Sequence, residues 1–291
     1  MFDRQVTTLN IEEHEIRLLV VGRGRVKKWA SAPLTPGLLS EGLVRDPTAV
    51  GSAIRELFAS QKVSRKRVLT GLTGLRSISR VLTIPQVKPS LLESVVLREA
   101  KREMPISLDE IYLFWKVLGK RGNKQRVYML GVPQEAIDDQ VEALRQAGMK
   151  PKAMDLKPLA LVRAVNRKNA IITNLEDGTL DIIIVVEDVP VIVRTVALGK
   201  ESPTLERKWD RLAEELSRTI KFYNDSHREA PLHPDICVYP SGVLAEGPRF
   251  RARLQATTEH PVLAPQSPLG CPDNLPVGRF LVNMGLALKR I

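Results

Sequence analysis

The stretch VTTLNIEEHEIRLLVV, at positions 6–21, sets the first expectations for the architecture. Polar and apolar residues alternate in its first part, and it ends in four aliphatic residues, Leu18 to Val21. Alternation of this kind is typical of half-buried strands, so the stretch predicts two short strands joined as a β-hairpin. Gly22 and Gly24 supply the next turn, and residues 26–32 predict a third strand.

Outward from this hairpin, strand patterns alternate with helix signals. Asp46 and Pro47 are suited to the cap and the first position of a helix, and residues 68–72 predict a buried strand. Further along, Ser90 and Glu93 have the spacing of a capping box, which predicts a helix that begins at residue 91. The chain therefore predicts a mixed α/β protein.

Composition limits the classes of protein to which the chain can belong. With 291 residues and 43% hydrophobic content it can bury a large core, and its net charge of +11 favours an anionic partner. The basic residues are not interleaved with aromatic residues, which argues against RNA binding.

The most aliphatic stretch, residues 180–186, is far shorter than the about 20 residues that span a bilayer, so any membrane role is expected to be peripheral. Cys237 and Cys271 form no disulfide framework, and a reducing compartment is expected.

A series of short motifs, in a particular order and spacing, carries a resemblance. The motifs are EGLVRD (41–46), TIP (83–85), EAKREMPI (99–106), LDEIY (108–112), AGMKP (147–151), EELSR (214–218) and GLAL (285–288). Together they resemble the PilM family of type IV pilus assembly proteins, which are relatives of the cell-division protein FtsA. The resemblance covers nearly the whole chain and implies the actin-like (Hsp70/actin ATPase) fold, an α/β fold of two lobes with an inserted small α+β subdomain.

The resemblance also implies how the chain divides. Residues 1–78 are expected to form the first actin-like lobe, residues 79–151 the inserted subdomain, and residues 152–291 the second lobe. Within the last part, residues 152–167 are expected to return to the first lobe, and residues 278–291 predict a closing helix. The first and third parts each contain a run of strands followed by a helix, which hints at two related halves.

The first phosphate-binding turn of this family is similar to Asp-Ile-Gly, small polar residues and then a lysine. Here the corresponding residues are Asn10, Glu12, Glu13 and Arg17. Asparagine lacks the ionised carboxylate that would face a metal ion, and glutamate adds bulk and negative charge where a phosphate would lie. Arg17 keeps a cation at the lysine position, and we interpret it as a solvated strand residue.

The second turn has undergone the same two changes. Its residues are Asn174, Glu176, Gly178 and Thr179, where the family again resembles Asp-Ile-Gly followed by small residues. The third element, a Gly-Gly turn against the adenosine, is reduced to Ser241-Gly242 after a predicted strand.

These substitutions predict that ATP binding is lost or weakened. Two like charges at about 4 Å repel by roughly 4 kcal/mol at an effective dielectric of about 20, and micromolar affinity corresponds to only about 8 kcal/mol. No catalytic residue, no metal ligand set and no cofactor are expected, with Mg·ATP as the alternative if the glutamates move aside. The chain is accordingly expected not to be an enzyme.

The leading functional hypothesis is a cytoplasmic scaffold at the inner membrane. The resemblance implies that the chain binds the cytoplasmic tail of a single-pass PilN-like protein, in a groove between the first lobe and the inserted subdomain. Candidate groove residues are Thr83, Ile84, Pro85 and Glu99. An extended peptide on an apolar groove or a strand edge needs no catalytic group.

Other hypotheses stay open at this point. One is a nucleotide-switched ATPase of the same fold, in a pilus or in a type II secretion system. Another is an actin-like protein that binds nucleic acid, which the net charge of +11 motivates although no nucleic acid is expected as a partner. Self-association is also open.

Overall fold

A computed structural model of the chain describes residues 5–199 and 204–290. Within them, the helices are α1 (Pro47–Ser60), α2 (Pro89–Glu103), α3 (Gln134–Gln146), α4 (Lys157–Val165), α5 (Leu205–Ser226), α6 (Pro248–Thr257) and α7 (Val277–Ala287). The strands are β1 (Val6–Ile11), β2 (Glu15–Gly22), β3 (Arg25–Pro33), β4 (Leu39–Ser40), β5 (Leu43–Val44), β6 (Val68–Leu72), β7 (Ile78–Pro85), β8 (Ile111–Arg121), β9 (Lys124–Pro133), β10 (Ala153–Leu156), β11 (Ala170–Leu175), β12 (Thr179–Val186), β13 (Val189–Ala197) and β14 (Val238–Ser241). The predicted end of the closing helix, Ile291, lies outside the described residues, and α7 ends before it.

The chain divides into two compact units. The large unit combines the residues up to Leu75 with those from Asp139 onward, and the small unit is Arg76–Asp138. Helix α3 crosses this division. Its second half belongs to the large unit because Ala143 and Leu144 join the core that also contains helix α1.

The first sheet of the large unit has the strand order β10-β6-β1-β2-β3. Strands β1 and β2 form the predicted antiparallel hairpin, and β6 and β10 extend the sheet in parallel. Because side chains alternate across a strand, Leu9 and Leu18 pack towards helix α1, whereas Leu19 packs with helices α4 and α7. Both faces of β1 and β2 are therefore covered.

The second sheet of the large unit has the order β13-β12-β11-β14. One face packs on helices α5 and α6 through residues such as Ile182 and Leu216. The opposite face, with Ile172 and Ile183, shares a core with α4, α7 and the first sheet. Helices α4 and α7 thus lie in the core common to both sheets.

The first residues of helices α1 and α2 can be compared with the capping predictions. The Asp46 side chain accepts a hydrogen bond from the Ala49 N–H at 2.9 Å, and Pro47 is the first helical residue, as predicted. The predicted capping box at Ser90 is wrong, because α2 begins at Pro89 with Lys88 as its N-cap and no side chain bonds the cap. Proline has a fixed φ that suits the first helical position, so the helix starts before Ser90.

The small unit is an antiparallel sheet of order β7-β9-β8 with helix α2 on one face. Its core contains Val96, Val127 and Met129. Gly122, in the left-handed region with φ of 59°, forms the tip of the β8–β9 hairpin. Strands β7 and β8 are the two edges of this sheet. No helix of the described ranges is both long enough and apolar enough to cross a membrane.

Candidate functional site

The two turns that the sequence singles out lie close to each other in the large unit. The first connects β1 to β2 and carries Glu12 and Glu13, and the second connects β11 to β12 and carries Glu176 and Gly178. Ionic side chains from these turns, from β2 and from helices α4 and α7 form what we call the charged cluster, in which all members except the partly exposed Arg279 are buried: Glu12, Glu15, Arg17, Lys157, Glu176 and Arg279.

Arg17 is the centre of the charged cluster. Its side chain is 0% exposed, and its guanidinium donates two parallel hydrogen bonds to Glu176, Nη1 to Oε1 at 2.8 Å and Nη2 to Oε2 at 2.6 Å. These bonds join the first sheet to the turn of the second. The interpretation of Arg17 as a solvated strand residue is therefore wrong. The β1–β2 register places Arg17 opposite Asn10, and both side chains are buried.

The surroundings of Arg17 favour its charged form. Burial alone would lower the pKa of Arg17, but the carboxylates of Glu176, Glu12 and Glu15 outweigh this effect and raise it. Complete burial conversely raises the pKa of Glu176, in opposition to the Arg17 charge that lowers it. The ionised form of Glu176 thus depends on the guanidinium that it contacts.

Glu15 connects Arg17 to helix α7. Arg17 Nε donates to Glu15 Oε1 at 2.5 Å, and Arg279 Nε donates to the same oxygen at 3.0 Å. Burial opposes the ionised form of Glu15, but hydrogen bonding from Arg279 and the charge of Arg17 outweigh burial and lower the pKa of Glu15. The Arg279 carbonyl in turn accepts from Arg17 Nη1 at 2.9 Å.

Glu12 has its own cation in Lys157, the first residue of helix α4. Lys157 is buried, its Nζ lies 3.0 Å from Glu12 Oε2, and it also donates to the Ile11 carbonyl at 2.7 Å. Asn10 Nδ2 donates to Glu12 Oε1 at 2.8 Å. Both glutamates that replace turn glycines are therefore neutralised by basic side chains of the same chain.

The second sheet places a hydrogen-bonded group, centred on Asp181, beside the charged cluster. Asn174 lies opposite Asp181 in the β11–β12 register, and Asn174 Nδ2 donates to Asp181 Oδ2 at 3.1 Å. The Thr195 hydroxyl donates to Asp181 Oδ1 at 2.5 Å, and Ser241 Oγ lies 3.0 Å from Asn174 Oδ1. Burial raises the pKa of Asp181 to about 6, although both hydrogen bonds oppose the shift.

We expect Asp181→Asn to remove part of the pH dependence of stability. The pKa of Asp181 in the folded chain is about 6, above its ordinary 3.8, so the folded state holds this proton more tightly than the unfolded state. The wild-type free energy of unfolding should fall by up to about 3 kcal/mol as the pH rises from about 4 to about 6, and the variant should lack this decrease. Urea unfolding across that pH range measures the difference.

The half-exposed carboxylate of Asp210, which pairs with Arg253 at the surface, supplies the control for this comparison, as Asp210→Asn. Curves of stability against pH that run parallel for Asp181→Asn and the wild type would contradict the assignment.

The remaining predicted residues line the same place. A Cβ atom on Gly178 would collide with the Glu13 carboxylate, and one on Gly242, whose φ is 96°, would collide with the Leu175 backbone. The Glu13 pKa is raised, first by burial. Thr179 is buried, and its carbonyl accepts the Glu176 N–H at 2.9 Å to close the second turn.

The side chains present do not fit Mg·ATP. A triphosphate needs open space at the turns, free N–H donors and a hard anionic ligand for the metal ion. Here the carboxylates of Glu12, Glu13 and Glu176 lie at the turns, and the cations of Arg17 and Lys157 are already paired with carboxylates. The structure thus brings the ten nucleotide-site residues together in a site filled by its own side chains.

Four functional residues of this site escaped the sequence analysis. They are Glu15, Lys157, Asp181 and Arg279. Lys157 and Arg279 have their partners far away in the chain, 264 residues away for Arg279 and Glu15, so no local spacing signals these two cations. The one available signal was charge balance, because two buried glutamates require nearby cations.

The predicted groove residues lie in the small unit but do not share one surface. Thr83 and Pro85 are exposed on edge strand β7. Ile84 is buried in the core with helix α2, and Glu99 is largely buried on α2 with an ion pair to Arg102 at 2.6 Å. The side chains of Ile84 and Glu99 are therefore not available to a peptide.

The face of the small sheet opposite helix α2 exposes a different apolar surface. On edge strand β8, Tyr112 and Phe114 are 39% and 51% exposed, and in the strand register Phe114 lies opposite Leu130. The alternate residues of β8, such as Leu113 and Trp115, pack in the core under α2. The sequence analysis did not single out this aromatic pair.

This chain is similar to known proteins both in sequence and in structure. The family model described as Type IV pilus assembly protein PilM matches residues 9–208. A solved structure of a PilM-PilN type IV pilus biogenesis complex matches with 25% identity and a TM-score of 0.79, covering 97% of this chain and 97% of that chain.

More distant structures share the fold. The ethanolamine utilization protein EutJ from Carboxydothermus hydrogenoformans has 13% identity and a TM-score of 0.59, with 99% of this chain and 90% of that chain covered. The cytoplasmic domain of EpsL, from the type II secretion system of Vibrio cholerae, has 14% identity and a TM-score of 0.57, with 99% and 97% covered. The predicted actin-like fold is confirmed by these matches. The family match spans more than half of the chain, and this protein belongs to the PilM family of type IV pilus assembly proteins.

Proposed function

We propose that this protein is a scaffold of the inner-membrane assembly platform of a type IV pilus, and that it works without bound ATP. The charged cluster is the observation that supports function without bound ATP. Arg17 and Lys157 already hold Glu176 and Glu12 at the positions where phosphates would lie. For Mg·ATP to enter, the buried pairs would have to separate, and breaking a buried pair costs about 3–5 kcal/mol.

The partner in this proposal is the cytoplasmic tail of a PilN-like membrane protein. The likeness to the chain solved in a PilM-PilN complex supports this choice. The protein would then be cytoplasmic and peripheral to the inner membrane, held there by its partner. Such a role asks for a surface that receives a short peptide, and it requires no catalytic group.

The exposed face of the small sheet is the surface that we assign to the peptide. It offers two aromatic side chains, Tyr112 and Phe114, on edge strand β8. An edge strand presents unpaired backbone groups that can pair with an extended peptide, and aromatic side chains commonly anchor such contacts. Tyr112 also has a polar handle, because its hydroxyl donates to Asp138 Oδ1 at 3.1 Å.

Calorimetric titration tests the proposal. We expect a synthetic peptide of the partner's cytoplasmic tail to bind the full chain, and Mg·ATP to give no binding heat with or without that peptide. Phe114→Asp should weaken the peptide by at least about 30-fold, because a central anchor contributes about 2 kcal/mol or more.

A matched control exists in the large unit. Phe222 on helix α5 is 66% exposed, so Phe222→Asp changes the same residue type outside the proposed surface and should leave peptide affinity unchanged. Equal losses in both variants would contradict the assignment of the surface. Micromolar binding of Mg·ATP would contradict the nucleotide-free scaffold and favour the switched ATPase.

A further inference from the structure

A basic cavity opens on the large unit, away from the charged cluster. It has a volume of about 780 Å³ and lies between residues 63–67, before strand β6, and residues 148–152, before strand β10. Five of its lining residues are cationic, and no carboxylate lines it: Arg65, Lys66, Arg67, Lys150 and Lys152. We call this site the basic cavity.

The charges of the basic cavity are not balanced by the rest of the described chain. Within residues 5–199 and 204–290, the side chains of Lys66, Arg67, Lys150 and Lys152 form no ion pair. Arg65 donates Nη1 to the Ala147 carbonyl at 2.8 Å, which ties the two walls together but neutralises nothing. The charged cluster differs in this respect, because each of its cations forms an ion pair with a carboxylate.

Backbone pairing forces like charges together in the basic cavity. Lys66 and Lys150 are direct partners in a parallel β-bridge, and Lys152 follows two residues later on the same side of the chain. Like charges directly opposite each other destabilise paired strands. Since no described side chain relieves this repulsion, an external anion is the group that would.

We propose that the basic cavity binds the phosphate groups of anionic phospholipids, so that the protein contacts the membrane surface directly. Clusters of lysine and arginine are attracted to anionic lipid surfaces through their charge alone. No aromatic side chain lines the cavity, so the bases of a single-stranded nucleic acid would find nothing on which to stack. The apolar residues Val63 and Pro151 complete the lining and can approach the headgroup region.

Vesicle co-sedimentation of the full chain, without any partner peptide, tests this proposal. The probes are phosphatidylcholine vesicles with and without about one third phosphatidylglycerol, at low and at physiological salt. We expect binding only to the anionic vesicles, and binding that weakens as salt rises. The triple variant Lys66→Glu, Lys150→Glu and Lys152→Glu should reduce the affinity by about tenfold or more.

A control with the same change in net charge separates the cavity from the overall charge. Lys168→Glu, Lys221→Glu and Arg228→Glu replace three exposed cations elsewhere on the large unit, and this triple variant should bind anionic vesicles within about twofold of the wild type. If circular dichroism shows that charge reversal disturbs folding, the milder triple variant Lys66→Ala, Lys150→Ala and Lys152→Ala tests whether these lysines bind the vesicles.

Three outcomes would overturn the proposal: no binding to anionic vesicles, equal losses in the cavity and control variants, or retention of duplex DNA by a chain that ignores vesicles. The result is independent of the peptide site. Titration of the cavity variant with the partner peptide should give wild-type affinity, so a failure of one proposal is distinguishable from a failure of the other.

Discussion

Arg17→Ala is expected to lower the free energy of unfolding by about 3–5 kcal/mol. The substitution leaves Glu176 buried without its cation and removes a hydrogen-bond donor from Glu15. Glu176 must then either keep the cost of a desolvated, unpaired charge or take up a proton, and in both cases its two hydrogen bonds to Arg17 are lost. Urea unfolding at neutral pH measures the change.

Two further variants decide whether the loss of the buried Arg17–Glu176 pair is the cause of the lower stability. Arg253, which pairs with Asp210, is about half exposed, so Arg253→Ala should cost less than about 1 kcal/mol. Combining Arg17→Met with Glu176→Leu removes both charges, and this double variant should recover most of the stability that Arg17→Ala loses. A loss for Arg17→Ala no larger than that for Arg253→Ala would mean that the pair contributes little.

Gly285→Ala is expected to destabilise the chain by about 3 kcal/mol, through packing alone. Gly285 lies in helix α7, where this helix crosses α4, and a Cβ atom there would collide with the backbone of Ala160. A flexible side chain can move away from such a collision, but the backbone of a packed helix cannot do so without separating the two helices. Thermal unfolding monitored by circular dichroism is the measurement.

The same helix contains the matched control. A Cβ atom on Gly278 would meet nothing within 4 Å, so Gly278→Ala should leave stability unchanged or raise it by up to about 1 kcal/mol, through the helix propensity of alanine. If both alanine variants behave alike, the close approach of α4 and α7 is not the constraint that we describe.

Sequence patterns predicted those strands and helices whose apolar residues recur at regular intervals or whose ends carry clear capping signals. The β1–β2 hairpin and the helix start at Asp46 and Pro47 are present in the structure as predicted, although both strands are buried on both faces rather than on one. Helix α6 had no comparable signal. Only Phe250 and Leu254 of its side chains are buried, and two apolar residues four apart are too few to distinguish a helix from a loop.

The candidate site was predictable in position but not in content. The family resemblance located both turns, and simple electrostatics indicated that a glutamate at each turn opposes phosphate. The cations that neutralise these glutamates lie far from them in the chain, because Lys157 of helix α4 pairs with Glu12 and Arg17 of strand β2 pairs with Glu176. Their roles follow from tertiary packing, so a pattern of neighbours could not reveal them. The same limit made Arg17 look like a surface residue.

The peptide surface shows a related limit. Sequence motifs drew attention to Thr83, Ile84 and Pro85, but alternate side chains of a strand point to opposite faces, so no surface can use all three in the same way. Phe114 and Tyr112 share one face because they are two residues apart on β8. Which face stays uncovered depends on where helix α2 packs, and only the folded unit decides that.

The bonds that join the two sheets at Arg17 have a consequence for how this protein can change its state during its lifetime. A triphosphate held between two such turns would be consumed by hydrolysis and would have to be replaced by a new molecule. Glu12 and Glu176 are held by the polypeptide itself and can be neither consumed nor exchanged. On the proposal above, no hydrolysis step can change the state of this subunit, so any timing in pilus assembly must come from other components.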